Sequence, residues 1–346
     1  MLLSEFDFPF DPALVADCPV MPRHDARLLV MDRSSHARMH RRVADLPSLL
    51  QPGDLIVVNN TKVMPARVPA QARSTGKLLD LLFVQDVGQG MWEVLMKGRF
   101  KPGALIDFPG GGCGEIVERS QSRTTVKVTG VTSVYNLMHD SGTMPLPPYI
   151  KREPSQDDQR WYQTMFAQQE GAIAAPTAGL HFTPELVETL TAKGIEMAEV
   201  TLHVGPGTFR SVKSDRIEEH RMLAEQVEVT ARTVEQIRQA QTRGNRVVAV
   251  GTTVVRALET AGRGGRGIQP FQGPAELFIT PGFEFQVIDA LVTNFHLPRT
   301  TLLMLVSAFV GLEPLRAAYT EAVAKRYRFY SYGDAMLIAR GVSAAT

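Results

Sequence analysis

Cysteine is nearly absent. The 346 residues contain two, Cys18 and Cys113, far apart and without a CxxC pair or a neighbouring His cluster. That scarcity excludes a disulfide framework and a paired-cysteine zinc site, and it fits a reducing cytoplasm. An excess of charge of one sign is also missing, since 37 Lys and Arg face 36 Asp and Glu for a formal net charge of +1. Any attraction to nucleic acid must therefore come from a local basic patch. Long apolar runs are lacking too: the most apolar stretch, residues 301–312, falls short of the roughly 20 residues that span a bilayer. The opening MLLSEFDFPF carries Glu5 and Asp7 and no basic run, so neither an export signal nor a membrane anchor is expected. No GxSxG or HExxH pattern occurs, which removes serine-triad and zinc hydrolysis, and the strand-to-helix run 248–256 lacks the GxGxxG and Walker patterns, so it marks neither dinucleotide binding nor P-loop chemistry. His, Asp, Glu and Arg remain as candidate chemical groups.

What is present is ordinary soluble-protein composition, 44% hydrophobic and 21% charged, and a length that points to two domains at about 150 residues each. Residues 26–31 and 54–58 read as short buried strands. From about 69 to 144 the texture becomes short runs, at 77–84, 91–97, 104–108, 114–118 and 124–128. Turn signals such as Lys101-Pro102-Gly103 separate them and suggest a small antiparallel β-barrel or sandwich. Past Met144-Pro145-Leu146-Pro147-Pro148 strands and helices alternate, which predicts a mostly parallel sheet covered by helices. Thr183 reads as an N-cap with Pro184 behind it, and a polar helix is expected over about 231–243, stopped by Gly244. Strands are expected at 196–204, 246–250 and 290–293. The fold class is thus α/β with mixed α+β character: a large α/β domain, residues 1–65 and 149–346, with a small β-barrel, residues 66–148, inserted near its start. The tract 261–267 (AGRGGRG) reads as a flexible surface loop.

Five strand ends run into polar residues and glycines, where open α/β sheets place ligands. They are 57–67 (VVNNTKVMPAR), 174–183 (AAPTAGLHFT), 201–209 (TLHVGPGTF), 248–256 (VAVGTTVVR) and 292–301 (VTNFHLPRTT). The first offers Asn59 and Asn60, residues able to adopt left-handed backbone and present amides to a ligand, though a simple turn accounts for an Asn pair equally well. The second brings His181 to the mouth of a capped helix, where a structural histidine bonded to a carbonyl is an equal alternative. The third ends in a Gly-rich turn that by itself merely reverses a chain. In the fourth, free backbone N–H groups and Thr hydroxyls suit a carboxylate or phosphate, unless Thr simply caps the helix. Five such ends in one chain favour an extended binding surface. Basic residues recur at Lys97, Arg99, Lys101, Arg119, Arg123 and Lys127, and again in Lys325-Arg326-Tyr327-Arg328-Phe329-Tyr330. Both stretches suit RNA backbone and base stacking, and solubility explains them as readily.

Taken together, residues 59–67, 171–182 (GAIAAPTAGLHF), 201–209, 251–259 (GTTVVRALE), 289–309 (DALVTNFHLPRTTLLMLVSAF) and 327–338 (YRFYSYGDAMLI) resemble the S-adenosylmethionine:tRNA ribosyltransferase-isomerases of queuosine biosynthesis. The match spans nearly the whole chain in order. The resemblance implies an α/β domain with an inserted β-barrel, in agreement with the switch of texture above. It further implies transfer and isomerisation of the ribosyl portion of S-adenosylmethionine onto 7-aminomethyl-7-deazaguanine at the wobble position of tRNA, giving epoxyqueuosine and releasing adenine and methionine. S-adenosylmethionine is then a co-substrate, and no metal or redox cofactor is implied. A monomeric, cytoplasmic protein without membrane contact is expected.

That chemistry needs a base for the ribose C5′ proton beside the sulfonium, an acid for the departing adenine, and a clamp for carboxylate or phosphate. His203 and His181 are the leading acid–base candidates because they lie in the Gly-rich strand-end motifs, with His220 and His296 behind them. Arg67 and Arg256 are candidates for carboxylate or phosphate contact through bidentate geometry. Asn59, Asn60, Thr252 and Thr253 would supply neutral hydrogen bonds, and Thr177, Gly205, Gly207 and Asn294 complete the substrate-binding set. Two departures stand out. Where the family usually reads His-x-Met-His-x-Glu, this chain has His220-Arg221-Met222-Leu223-Ala224-Glu225, and Leu223 cannot transfer a proton. The intact remaining motifs favour a non-essential second His. Asp80 stands where the family has a Glu, which keeps the charge and shortens the reach. Two rival readings differ in product: a methyltransferase would yield S-adenosylhomocysteine, and a non-catalytic RNA-binding protein would consume no small molecule.

Overall fold

Runs such as Leu55-Ile56-Val57-Val58 are apolar at every position, which suits an extended segment only when both faces are covered. The computed structural model describes residues 1–120, 123–205, 207, 212, 214–265 and 267–342. Arg266 of the glycine-rich tract, and Pro206, Thr208 and Phe209 of TLHVGPGTF, lie outside the described residues. The strands in chain order are β1 (Arg27–Asp32), β2 (Arg38–Arg42), β3 (Leu55–Asn59), β4 (Thr61–Val63), β5 (Arg67–Ala72), β6 (Leu78–Gly88), β7 (Met91–Met96), β8 (Leu105–Asp107), β9 (Cys113–Arg119) and β10 (Thr124–Thr129). They continue with β11 (Gln169–Ala172), β12 (Glu196–Leu202), β13 (Glu225–Val229), β14 (Val247–Val250), β15 (Phe271–Ala275), β16 (Ala290–Asn294) and β17 (Ala335–Ala339).

Nine of them form one sheet in the order β15-β13-β12-β3-β14-β16-β17-β1-β2. The expectation of a mostly parallel sheet is corrected: it is mixed. The pairs β12·β3, β3·β14, β14·β16 and β17·β1 are parallel, and the other four are antiparallel. A single crossover helix returns a chain for a parallel strand. Between β16 and β17 stand two helices, Thr301–Val310 and Leu312–Ala324, bent by 114° at Gly311, and β17 comes back antiparallel. No single helix among the described residues is long and apolar enough to cross a membrane.

The alternation within β3 shows why its apolar run is continuous. Leu55 and Val57 enter one core with the helices Ala231–Thr242, Thr252–Ala261 and Thr301–Val310. Ile56 and Val58 enter a second core on the opposite face, covered by the helix Pro184–Ala192. That helix begins as expected, the Thr183 hydroxyl accepting from the Leu186 N–H at N3 with Pro184 at N1. The helix Ala231–Thr242 is capped in the same way by Thr230.

Strands β5 to β10 close into a six-stranded barrel in the order β10-β7-β6-β5-β8-β9, every pair antiparallel. Alternate residues Val68, Ala70 and Ala72 point into its core against Leu81, Phe83 and Trp92. Closure removes the exposed edges that so small a sheet would otherwise present. The barrel's entry and exit meet: Arg67 N–H donates to Thr143 O at 3.2 Å and Thr143 N–H donates to Arg67 O at 2.8 Å.

Candidate functional site

Strands β12, β3, β14 and β16 are adjacent and parallel, so their carboxyl ends emerge side by side. The helix leading into β12 packs on one face of the sheet and the helix leading into β14 packs on the other, with β3 between those strands. Such a change of direction opens a crevice at the strand ends. A cavity lies there, walled by residues from four of the five sequence motifs: Thr177, Val204, Gly251, Thr252, Asn294 and His296.

One wall is the start of the helix Thr252–Ala261. Gly251 occupies the N-cap with φ of 93°, no side chain caps the helix, and Thr252 and Thr253 line the cavity with it. The left-handed φ is what requires glycine there. The opposite wall is aromatic. Tyr149 and Tyr330 pack with ring centroids 3.8 Å apart, and the Tyr149 hydroxyl bonds to that of Ser331. Tyr162 is wholly enclosed, and its hydroxyl is without a hydrogen-bond partner among the described residues, the Ala175 backbone and the Ser331 hydroxyl being its polar neighbours. Burial pushes the Tyr330 phenol up to about 12, so it stays protonated at neutral pH. Tyr149 and Tyr162 belonged to no motif singled out in the sequence: a buried tyrosine reads there as core, and only the Pro147-Pro148-Tyr149 junction gave a weak local signal.

The asparagines are occupied by the chain itself. Asn59 Nδ2 donates to Leu202 O at 2.9 Å, while its Oδ1 accepts from the Thr61 and Leu202 N–H groups, each at 3.1 Å. Asn60 bridges Glu199 and the Thr201 hydroxyl. Neither adopts the left-handed backbone expected of it; the non-glycine residues at positive φ among the described residues are His36, Gln89, Arg299, Arg326 and Tyr330. The reason is that Thr61–Val63 continues as β4, paired with β11, so the segment stays extended instead of turning. Asn294 holds three groups together: it accepts from Thr177 Oγ1 at 2.9 Å and donates to His181 Nε2 at 3.2 Å and to Tyr330 O at 3.1 Å.

The four histidines are not gathered at one point. His296 is in the cavity wall, its Nε2 2.9 Å from Thr293 Oγ1, and burial lowers its pKa to about 3. His181 lies behind Asn294; burial, aided by the Arg23 charge, lowers it to about 4, and its ring also bonds to the Arg23 backbone. Val204 lines the cavity and its neighbour His203 does not. Its Nδ1 is 2.8 Å from Thr61 Oγ1, its Nε2 has no partner among the described residues, and burial lowers its pKa. A Cβ at Gly171 would come within 2.7 Å of that ring, so glycine is needed for the close approach. His220 stacks edge-on to Phe278 at 5.3 Å and is likewise lowered by burial. Leu223 is exposed and packs against Gly207.

The two arginines also have partners within the chain. Arg256 is buried, forms an ion pair with Glu225 through Nη1, and donates to Leu277 O and Ala275 O, each at 3.1 Å. Glu225 Oε1 in turn accepts from the Gly205 N–H at 2.9 Å, so the pair fixes the loop after β12. Arg67 lies 3.6 Å from Asp80, the shortened carboxylate noted in the sequence, and its buried Nε lacks a partner among the described residues. No group of three or more His, Cys, Asp or Glu able to hold a metal ion occurs among the described residues.

Comparison with known proteins bears directly on this arrangement. A family model described as queuosine biosynthesis protein matches residues 3–338. The chain belongs to that family. It is 46% identical over 340 residues to the S-adenosylmethionine:tRNA ribosyltransferase-isomerase of Aquifex aeolicus, covering 98% of this chain and all of the relative. The enzyme of the same name from Acidithiobacillus ferrooxidans is 46% identical over 337 residues, 97% of each chain. Among solved structures, the S-adenosylmethionine tRNA ribosyltransferase of Thermotoga maritima superposes with a TM-score of 0.57 at 38% identity, over 97% of this chain and all of that one. Within the family, then, the motifs that line the cavity are those on which the sequence resemblance rested.

Proposed function

We propose that this protein transfers and isomerises the ribosyl portion of S-adenosylmethionine onto 7-aminomethyl-7-deazaguanine in the anticodon of tRNA, forming epoxyqueuosine and releasing adenine and methionine. The observation that carries this reading is the cavity's two-ended character. An uncapped helix start suits the methionyl carboxylate, and the tyrosine wall suits the adenine. The name shared by relatives 46% identical over nearly the full length supports the same substrates.

The sulfonium acidifies the adjoining C5′ proton, so a neutral base is required, and all four histidines are held below their ordinary pKa by burial. His296, in the wall, is the acid–base group we assign at the cavity, and His203, outside the lining with its Nε2 unpaired among the described residues, is the second candidate. His181, held on both sides by Asn294 and the Arg23 backbone, orients the wall. Thr177, Thr252, Thr253 and Asn294 contact substrate. Asn59, Asn60, Gly205, Gly207 and Arg256 shape the crevice from behind, and Arg67 at the barrel junction remains open to a phosphate. Residues 1–65 with 149–346 form the catalytic α/β domain, residues 66–148 the inserted barrel, and the protein works as a cytoplasmic monomer. The deciding experiment incubates it with S-adenosylmethionine and tRNA carrying the aminomethyl base, followed by mass spectrometry of nucleosides and small molecules. Epoxyqueuosine with adenine and methionine is expected; S-adenosylhomocysteine would overturn the assignment in favour of methyl transfer.

A further inference from the structure

An RNA substrate brings phosphates with it, and a nucleotide inserted into the cavity has them on both sides, close to the cavity mouth. A basic face adjoins the cavity wall through the segment 325–330. Its floor is the edge strand β2 and its rim is the segment 325–328. Arg27 donates from Nη1 to Lys325 O at 3.0 Å and stacks 4.1 Å above the Tyr327 ring, whose hydroxyl is 2.6 Å from His40 Nδ1 of β2. Two residues beyond Arg328, Tyr330 enters the cavity lining.

Charge on this face is unbalanced in an informative way. Arg27, Arg38 and Arg42 are answered by Asp334, Glu321 and Asp25 at 3.0, 2.6 and 3.3 Å. Lys325, Arg326 and Arg328 have no carboxylate within ion-pair distance among the described residues, and the first two are exposed. Their backbone is fixed, not loose. Buried Asp334 accepts from the Arg328 N–H at 2.7 Å and from the Arg27 N–H at 2.9 Å, and the Arg328 guanidinium donates to Cys18 O. Arg326 and Tyr330 are held at φ of 53° and 71°, left-handed conformations that cost non-glycine residues energy and persist only where the surroundings impose them. Three cations without a carboxylate partner among the described residues, on an imposed turn that ends in the wall of the cavity, make a preorganised phosphate cradle.

We propose that this face is where the tRNA backbone docks, with Lys325, Arg326 and Arg328 taking the phosphates that flank the nucleotide presented to the cavity. The proposal rests on the tRNA-modifying reading above. The barrel's basic stretch is the weaker surface, because Arg123 is paired with Glu93 and Arg119 is bonded to Thr124 and Gly98.

The test compares the full-length protein with Lys325→Ala/Arg326→Ala and with a barrel control, Lys97→Ala/Lys101→Ala. Binding of tRNA is titrated between roughly 50 and 200 mM salt, and S-adenosylmethionine binding is measured by calorimetry on the same samples. Removing the two rim cations is expected to weaken tRNA binding about fivefold per residue and to lower the slope of log K against log salt by about one for each. S-adenosylmethionine binding stays at the wild-type value, and the barrel control changes neither quantity. An unchanged affinity and slope in the rim variant, or a loss carried by the barrel control, overturns the docking surface while the proposed reaction stands. A fall in S-adenosylmethionine binding together with tRNA binding overturns it as well, since the effect then runs through the cavity. Failure of the wild-type protein to bind tRNA at low salt removes the tRNA-modifying reading itself and this proposal with it.

Discussion

At the scale of single residues the decisive property is how far each histidine is removed from water. His203 holds the Thr61 hydroxyl at Nδ1 while its Nε2 has no partner among the described residues, and its lowered pKa leaves it unprotonated at neutral pH. Substitution of His203 by Ala is expected to reduce turnover about 10²- to 10⁴-fold, the range typical of a general acid–base group. A loss within about threefold would remove it from the mechanism. Because a depressed pKa shifts deprotonation to lower pH, the acid limb of kcat/KM is expected to have its midpoint below 6.5, read from a pH–rate profile. His181 acts on stability instead. Its ring is neutral in the folded protein with a pKa near 4, against 6.5 when unfolded. The unfolded chain therefore binds the extra proton first. The stabilisation from keeping the ring neutral is complete above pH 6.5 and is lost as pH falls toward 4, a span worth roughly 3 kcal/mol. Urea unfolding across that window should show His181→Gln losing less stability on acidification than wild type; parallel curves would contradict the buried, neutral state.

At the scale of elements, one buried ion pair ties three pieces together: Arg256 on the helix that starts at the cavity, Glu225 at the head of β13, and the loop at Gly205. Taking away one partner leaves an uncompensated buried charge, so Arg256→Leu is expected to cost about 3 to 5 kcal/mol in denaturant unfolding. The double replacement Arg256→Leu/Glu225→Leu should recover most of that loss. A single variant with wild-type stability and a raised KM would instead make Arg256 a direct substrate contact, as its motif suggested. This is where sequence reading reached its limit. The run GTTVVR showed a strand passing through glycine into a helix, and it does. The carboxylate that Arg256 holds lies 31 positions away at the head of β13, and spacing carries no information about such a partner. The barrel was legible because its turns are marked by Pro and Gly and its strands alternate, as in Met91–Met96, while its first strand, Arg67–Ala72, lay outside the runs picked out. The direction of β17 was not, because Ala335–Ala339 is buried at every position and an all-apolar strand looks the same running either way. Asn59 and Asn60 drew attention correctly as residues at a strand end, but side chains that cross-link two strands and side chains that await a ligand have the same sequence signature.

At the scale of the whole molecule, the barrel and the nine-stranded sheet have separate cores, and the chain enters and leaves the barrel at one place, the Arg67·Thr143 bridge. Only a few residues are shared across that junction, Met64 and Ile173 packing into the barrel's core. The two tryptophans divide between the parts. Trp92 sits in the barrel, edge-on to Phe83 at 5.8 Å, while Trp161 packs against the main core near Arg152. Single-tryptophan proteins, Trp161→Phe and Trp92→Phe, therefore report on one part each. A unit as small as the barrel buries a smaller fraction of its surface than the large domain and is the less stable of the two. The fluorescence of Trp92 is expected to change at a lower urea concentration than that of Trp161. Coincident midpoints with equal slopes in both proteins would mean that the two cores unfold as one cooperative unit, and residues 66–148 would then be a barrel within a single domain.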